Sequence, residues 1–128
     1  MAELETLMPV LWSEGVATGR ISVSTFVDLT STTAAKIFGL YPRKGTIAPG
    51  SDADIVIWNP HDQRVIDGAA MHSNAGYSPY DGWTVTGWPE VTISRGQIVA
   101  EATPDGITVS GAPGRGELAP RSRNQATI

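Results

Sequence analysis

The chain has 128 residues, of which 41% are hydrophobic and 17% charged, enough for one domain to bury a core. Its formal net charge of −4 and pI near 5.0 leave no basic stripe, so we expect neither nucleic acid nor an anionic membrane as a partner. The absence of cysteine excludes disulfides, thiolate nucleophiles and cysteine-ligated zinc. Because the sequence has no basic, apolar leader and no apolar run of about 18 residues, we expect a cytoplasmic protein.

The first predicted element is an amphipathic helix that ends near Gly15 or Gly19. Its apolar side chains recur at three- and four-residue spacing, at Leu4, Leu7, Met8 and Leu11. Such a stripe is stable only when another surface covers it, so the helix is expected to pack against a further element.

A second helix is predicted to begin at Ser22, whose hydroxyl can accept a hydrogen bond from a free amide of the next turn. Ile21 before this cap can pack on Phe26, which fixes the entry of the chain. We expect a break near residues 30–31 and an end at Gly39, which can adopt the left-handed conformation that closes a helix.

The β-branched run at residues 53–59 predicts a strand that ends at Pro60. Both of its faces are apolar, so it is expected to be covered on both sides. Residues 63–66 are predicted to form a short partner strand. Arg95 and Gly96 separate two further strand-like runs and predict a two-residue hairpin loop, in which the glycine supplies a positive φ.

Two segments lack a clear period. Residues 67–89 are rich in small polar and aromatic residues and form a long loop, either functional or anchored by aromatic rings. Its aromatic side chains could stack on bases or sugars, but no basic groove accompanies them, so anchoring is favoured: Tyr77, Tyr80, Trp83 and Trp88. Residues 103–128 are rich in glycine and proline and predict an extended arm.

Few residues are arranged for chemistry. His61 and His72 are isolated, without an HxH or HExxH pattern, so they do not indicate a metal site. Asp52 and Asp54 could act as paired carboxylates, but they lie where a turn meets a strand, and there aspartates usually accept hydrogen bonds from turn amides. We therefore assign no catalytic, cofactor-binding or metal-binding residue to this chain.

Several motifs together carry a resemblance. "TTAAKIFGLYPRKGTIAPGSDADIVIWNP", "YSPYDGW" and "GWPEVTISRGQIV" are similar to segments of the dihydropyrimidinase and hydantoinase branch of the amidohydrolase superfamily. One departure is Asp81, where the family pattern has glutamate. The resemblance covers almost the whole chain and is most specific at residues 33–100.

The resemblance implies a mixed α/β fold made of three parts. Residues 1–42 would be the last helices of a TIM barrel, residues 43–102 the strands of a composite β-sandwich with the long aromatic loop, and residues 103–128 the extended arm. The resemblance implies two divalent metals, expected to be zinc, bound by barrel residues that would precede this segment. The resemblance therefore implies the C-terminal portion of a cyclic amide hydrolase, inactive alone and dependent on the missing N-terminal barrel.

The family also implies a homo-oligomer in which the C-terminal arm crosses to a neighbouring subunit. Two other interpretations stay open at this point. The chain could come from a non-catalytic, structural relative of dihydropyrimidinase, or it could be an independent small β-domain that binds a ligand through its aromatic loop.

Overall fold

A computed structural model of the chain describes residues 3–103 and 106–121. It divides into two compact units, each built from two stretches of sequence. Unit 1 comprises Met1–Phe26 and Trp58–Trp88, and unit 2 comprises Val27–Ile57 and Pro89–Ile128. In the described ranges, none of the helices is long and apolar enough to cross a membrane.

The first helical run consists of α1, Leu7–Leu11, and a π-helical turn, Trp12–Val16. Gly19, at φ +75°, follows the last turn, so the predicted helix end near this residue is confirmed. The predicted apolar stripe is only partly buried within this chain. Leu7 is exposed, whereas Pro9 and Trp12 are the buried apolar residues of this run.

The second helical run begins as predicted, because Ser22 Oγ accepts a hydrogen bond from the Thr25 amide at 3.1 Å. It contains α2, Val23–Val27, and α3, Thr33–Ile37. The break predicted near residues 30–31 is absent, and a π-helical turn, Asp28–Thr32, joins the two α-helical parts.

Two contacts explain how the second run continues and where it ends. Thr32 Oγ1 donates to the Gly45 carbonyl oxygen at 2.8 Å, so this hydroxyl does not compete for the backbone groups of its own helix. At the end of the run, Gly39 has φ +69° and the Leu40 amide donates to the Ala35 carbonyl at 2.8 Å. This is the six-residue hydrogen bond that closes many helices, and it confirms the end predicted at Gly39.

Four strands form one sheet in the order β1-β2-β3-β4. Their bounds are Ile55–Val65 for β1, Thr84–Ser94 for β2, Gln97–Thr103 for β3 and Gly106–Val109 for β4. The antiparallel pair β2-β3 closes with Ser94 opposite Gln97. Arg95 and Gly96 have φ values of +48° and +74°, which confirms the predicted two-residue hairpin loop.

The prediction for β1 was wrong in two respects. The strand continues through Pro60, so residues 63–65 extend β1 and do not form a separate partner strand. Because β1 lies at an edge of the described sheet, a proline without an N–H group is tolerated there. The expected cover on both faces is also incomplete among the described residues, since Val56 is 41% exposed and Ile57 is 46% exposed.

The segment predicted as an extended arm contains the strand β4, which pairs with β3 from Gly106 opposite Thr103 to Val109 opposite Ala100. The sequence reading missed this strand because it has only four residues. Residues 110–121 that follow have no regular secondary structure. The remainder of the predicted arm, from residue 122, lies outside the described residues.

The core of unit 1 is built around three aromatic rings. The Trp12 ring centroid lies 5.1 Å from that of Phe26 and 5.3 Å from that of Trp58, and Phe26 and Trp58 are 5.7 Å apart. Gly87, at φ +94°, passes against the Trp12 indole. Through these contacts the first helical run packs on the start of the second helical run and on β1. Gly87 brings β2 against the Trp12 indole of the same core.

Candidate functional site

A cluster of charged side chains in unit 2 is formed by the turn that precedes β1. Gly45 and Gly50 have φ values of +82° and +90° and allow this turn to fold back. The Asp52 amide donates to the Arg43 carbonyl at 2.9 Å, which closes the turn. The cationic and anionic side chains of the turn therefore meet although about eight residues separate them in sequence.

We call the ion pairs of this turn the Lys44 cluster, formed by Arg43, Lys44, Asp52 and Asp54. Asp52 Oδ2 lies 3.0 Å from Arg43 Nε and 2.8 Å from Lys44 Nζ. Lys44 also pairs with Asp54. Asp54 Oδ1 accepts a 2.7 Å hydrogen bond from the Arg95 amide, so the cluster holds the β2-β3 hairpin against the turn.

Asp54 accepts a hydrogen bond from a turn amide, as predicted, whereas Asp52 accepts from the Arg43 and Lys44 side chains. The hydrogen bond from Lys44 is the main reason that the pKa of Asp52 is lowered. Burial raises the pKa of Asp54, but hydrogen bonds from Lys44 and from the Arg95 amide outweigh it, and the net pKa is also lowered. Hydrogen bonds to Asp52 and then Asp54 raise the pKa of Lys44 despite its partial burial.

These pKa shifts predict how the free energy of unfolding depends on pH. It is expected to be highest at intermediate pH and to fall at low pH (the acid limb) and at high pH (the alkaline limb). Lowered aspartate pKa values stabilise the fold above the ordinary value of 3.8, and this contribution is lost as the pH falls through the folded-state values. The raised pKa of Lys44 stabilises below the ordinary value of 10.5 and is lost as the pH rises through its folded-state value. Thermal unfolding of the chain over a pH series measures both limbs.

Lys44→Met is expected to flatten both limbs, because it removes the partner that the two aspartates share. Lys36→Met is the matched control, since the Lys36 ammonium lies over the Tyr41 ring, 5.4 Å from its centroid, and outside the Lys44 cluster. An unchanged acid limb in Lys44→Met would contradict the assignment.

The two histidines lie in separate surroundings. His61 donates its amide to Asn59 Oδ1 at 3.1 Å. His72 contacts the Glu5 carboxylate through its amide at 2.9 Å and its Nδ1 at 3.2 Å. Within residues 3–103 and 106–121, no group of three or more histidine, cysteine, aspartate or glutamate side chains is placed to hold a metal ion. The residues in these ranges therefore do not fit a two-metal centre.

The long loop predicted to be anchored by its aromatics has two aromatic rings in contact, those of Tyr80 and Trp83, with centroids 5.2 Å apart. Trp88 is buried, but it belongs to β2 and lies under the Arg64 guanidinium, 5.2 Å from its ring. Tyr77 is largely exposed.

Asp81, the position that departs from the family pattern, has a clear structural contact. Its Oδ1 accepts a 2.7 Å hydrogen bond from the Gly68 amide, which joins the two ends of the loop. A Cβ at Gly68 would lie 2.8 Å from the Tyr77 carbonyl carbon, so the close approach at this point requires glycine. Aspartate thus fulfils a loop-closing role in this sequence.

A basic cavity in unit 2 was not predicted from the sequence. Its volume is about 200 Å³. Four cations line it, together with one carboxylate and small residues: Arg43, Lys44, Ser94, Arg95, Arg115, Gly116, Glu117 and Ala119. No local motif joins these positions, because they come from the turn before β1, the β2-β3 hairpin and the segment after β4.

Comparison with known proteins places the chain among characterised sequences. Residues 2–99 match the sequence model of the Amidohydrolase family. The chain is 46% identical to the dihydropyrimidinase of Rattus norvegicus over 118 residues, which is 92% of this chain and 22% of that protein. It is 42% identical to the D-hydantoinase of Geobacillus stearothermophilus over 125 residues, 98% of this chain and 26% of that protein.

Solved structures give the same result. The D-hydantoinase (dihydropyrimidinase) from Thermus sp. superimposes with a TM-score of 0.79 at 42% identity, over 89% of this chain and 24% of that one. The L-hydantoinase (dihydropyrimidinase) from Arthrobacter aurescens superimposes with a TM-score of 0.71, also at 42% identity, over 73% of this chain and 21% of that one. The chain thus spans about a quarter of the length of the proteins it matches.

Proposed function

Because the chain belongs to the amidohydrolase family, we propose that it is the C-terminal, packing portion of a metal-dependent hydrolase that opens cyclic amides by cleaving a C–N bond. In this proposal the whole protein resembles dihydropyrimidinase and D-hydantoinase, the proteins with which the chain shares 46% and 42% identity. The residues described here supply helices and strands that cover and brace a barrel. The chemistry belongs to the portion that this chain does not contain.

Exposed apolar surface in the second helical run is the observation that carries this proposal. Leu29 is 56% exposed, Ile37 is 65% exposed and Phe38 is 61% exposed. Val56 and Ile57, which also belong to unit 2, are 41% and 46% exposed. Large apolar side chains at this exposure are costly in water, and a contiguous apolar surface of several hundred Å² usually marks a contact with another protein surface.

The catalytic metals of such an enzyme are assigned to the missing portion. When bound, two divalent ions would lower the pKa of a water molecule and make hydroxide available near neutral pH. In this chain the Asp52 and Asp54 carboxylates are instead engaged by Lys44, and the two histidines lie apart. No step of the reaction is therefore assigned to a residue of this chain.

Three further features of the whole protein belong to the same proposal. It acts in the cytoplasm, it forms a homo-oligomer, and the arm that includes residues 111–128 contributes to that assembly. The second candidate is a non-catalytic relative of dihydropyrimidinase, in which the same packing surfaces would be kept. Turnover by the whole protein separates these two candidates.

The isolated chain is expected to self-associate, because Leu29 and Phe38 of the second helical run are more than half exposed in the described part of the chain. Sedimentation velocity over a concentration series measures this association. Leu29→Glu is expected to raise the monomer fraction, since it replaces an exposed apolar side chain by a charge. Ser24→Glu, at an exposed polar position of the same helical run, is the matched control and is expected to change the monomer fraction little.

A monodisperse monomer with a sharp, cooperative unfolding transition would contradict the proposal. It would favour an independent small β-domain, because such a domain has to bury its own apolar surface.

A further inference from the structure

The basic cavity in unit 2 gathers cations from segments that are distant in sequence. Arg43, Lys44, Arg95 and Arg115 line it, which is four of the nine lysine and arginine residues of a chain with net charge −4. Placing like charges around one small space is unfavourable unless negative charge lies nearby. The four cations therefore require anionic partners nearby. Whether the cavity can also bind an anionic ligand depends on how many of the four cations are already paired with carboxylates.

Two of these anions lie to one side of the cavity. Asp52 and Asp54 pair with Lys44, and Asp52 also accepts from Arg43 Nε at 3.0 Å. Neither aspartate lines the basic cavity, whereas both line a separate cavity of unit 2. The aspartates thus hold Arg43 and Lys44 in place. Arg95 and Arg115 also line the cavity, but their guanidinium groups form no ion pair with either aspartate.

Backbone and side-chain acceptors hold Arg115 at the rim. Its Nη2 donates to the Ser94 carbonyl at 2.7 Å and contacts Gln97 Oε1 at 3.3 Å. Arg95 donates in return to the Arg115 carbonyl oxygen. These contacts orient both guanidinium groups without neutralising their charge, because every acceptor among them is a neutral group.

The carboxylate that remains is that of Glu117, which forms an ion pair with Arg95 Nη1. This pair does not have hydrogen-bond geometry, although Arg95 Nη1 is buried. The Glu117 side chain is 70% exposed and belongs to a segment without regular secondary structure. Only the Glu117 side of the pair is exposed, so its carboxylate can leave the buried Arg95 Nη1 when another anion takes its place.

We propose that the basic cavity is a binding site for a small oxyanion of the phosphate type, and that Glu117 occupies it as an internal substitute when the ligand is absent. A volume of about 200 Å³ accommodates a tetrahedral anion together with ordered water. Guanidinium groups present paired donors that match the oxygens of phosphate and carboxylate. The site is separate from the cyclic amide hydrolysis proposed above and does not depend on it.

Equilibrium dialysis of the 128-residue chain against radiolabelled inorganic phosphate at low ionic strength tests the proposal. Dialysis reports bound anion per chain whatever the association state of the protein, and low salt preserves the interaction. In a parallel series, displacement of the labelled phosphate at lower concentrations of succinate than of unlabelled phosphate would overturn the assignment to a phosphate-type anion.

The variants are expected to move affinity in opposite directions. Glu117→Gln removes the internal competitor and tightens phosphate binding about tenfold, whereas Arg115→Gln weakens it about tenfold, the change expected for one charge-assisted interaction. Glu101→Gln and Arg20→Gln make the same changes of charge at residues that do not line the cavity and are expected to leave the affinity within about twofold. Circular dichroism verifies that each variant keeps its secondary structure.

The gain expected for Glu117→Gln cannot result from unfolding, so it keeps the test decisive even if Arg115→Gln fails to fold. Absence of phosphate binding in the wild-type chain and in Glu117→Gln would overturn the proposal. Equal tightening in Glu117→Gln and Glu101→Gln would also overturn it, because net charge rather than the cavity would then explain the binding.

Discussion

Replacing Gly87 by alanine is expected to destabilise unit 1 by about 3 kcal/mol or more, combining backbone strain with overpacking. Gly87 has φ +94°, a conformation that a residue with a Cβ adopts only with strain. The added Cβ would also lie 2.5 Å from Trp12 Nε1 and closer still to Trp12 Cδ1. Trp12 cannot retreat freely, because its ring packs on Phe26 and Trp58.

Urea unfolding followed by tryptophan fluorescence, at the lowest usable chain concentration, measures this loss. Gly82→Ala separates the two causes, since Gly82 has φ +78° in the same unit but no atom lies within 4 Å of the Cβ it would gain. Backbone strain alone predicts a cost of about 1–2 kcal/mol there. Equal losses for the two variants would show that contact with Trp12 contributes nothing.

The second large effect concerns activity. The isolated chain is expected to show no ring opening of hydantoin or dihydrouracil and no stoichiometric zinc after dialysis, because its described residues do not fit a metal centre. Joined to the remaining, N-terminal portion of a related enzyme, the same chain is expected to support turnover. The difference in turnover between the isolated chain and the joined protein would equal the full activity of an enzyme. That difference is far larger than the effect expected from changing one side chain.

The parts of the fold that sequence predicts well are those that depend on a few neighbouring residues. Ser22 caps the second helical run, Gly39 ends it, and the Arg95-Gly96 pair forms the hairpin loop, as the local chemistry requires. In each case the determining contact lies within a few residues in sequence. Capping and turn formation are therefore accessible without knowledge of the tertiary fold.

The errors arise where tertiary context decides. Pro60 was expected to end a strand, but an edge position tolerates it, and a position in a sheet is not a local property. The basic cavity was missed for the same reason, since Arg43, Arg95 and Arg115 meet only after the turn, the hairpin and the segment after β4 have folded. The amide hydrogen bond to Asp54 was predicted, but Lys44 as the shared partner of Asp52 and Asp54 was not.

The central claim is that this chain packs while another portion performs the chemistry. The most direct measurement replaces the matching 24% of the Thermus sp. D-hydantoinase by this chain and compares hydantoin ring opening by the chimaera and by the isolated chain. We expect turnover by the chimaera, with an intact metal content, and none by the isolated chain. Turnover by the isolated chain, or a folded, metal-loaded chimaera without activity, would contradict the account.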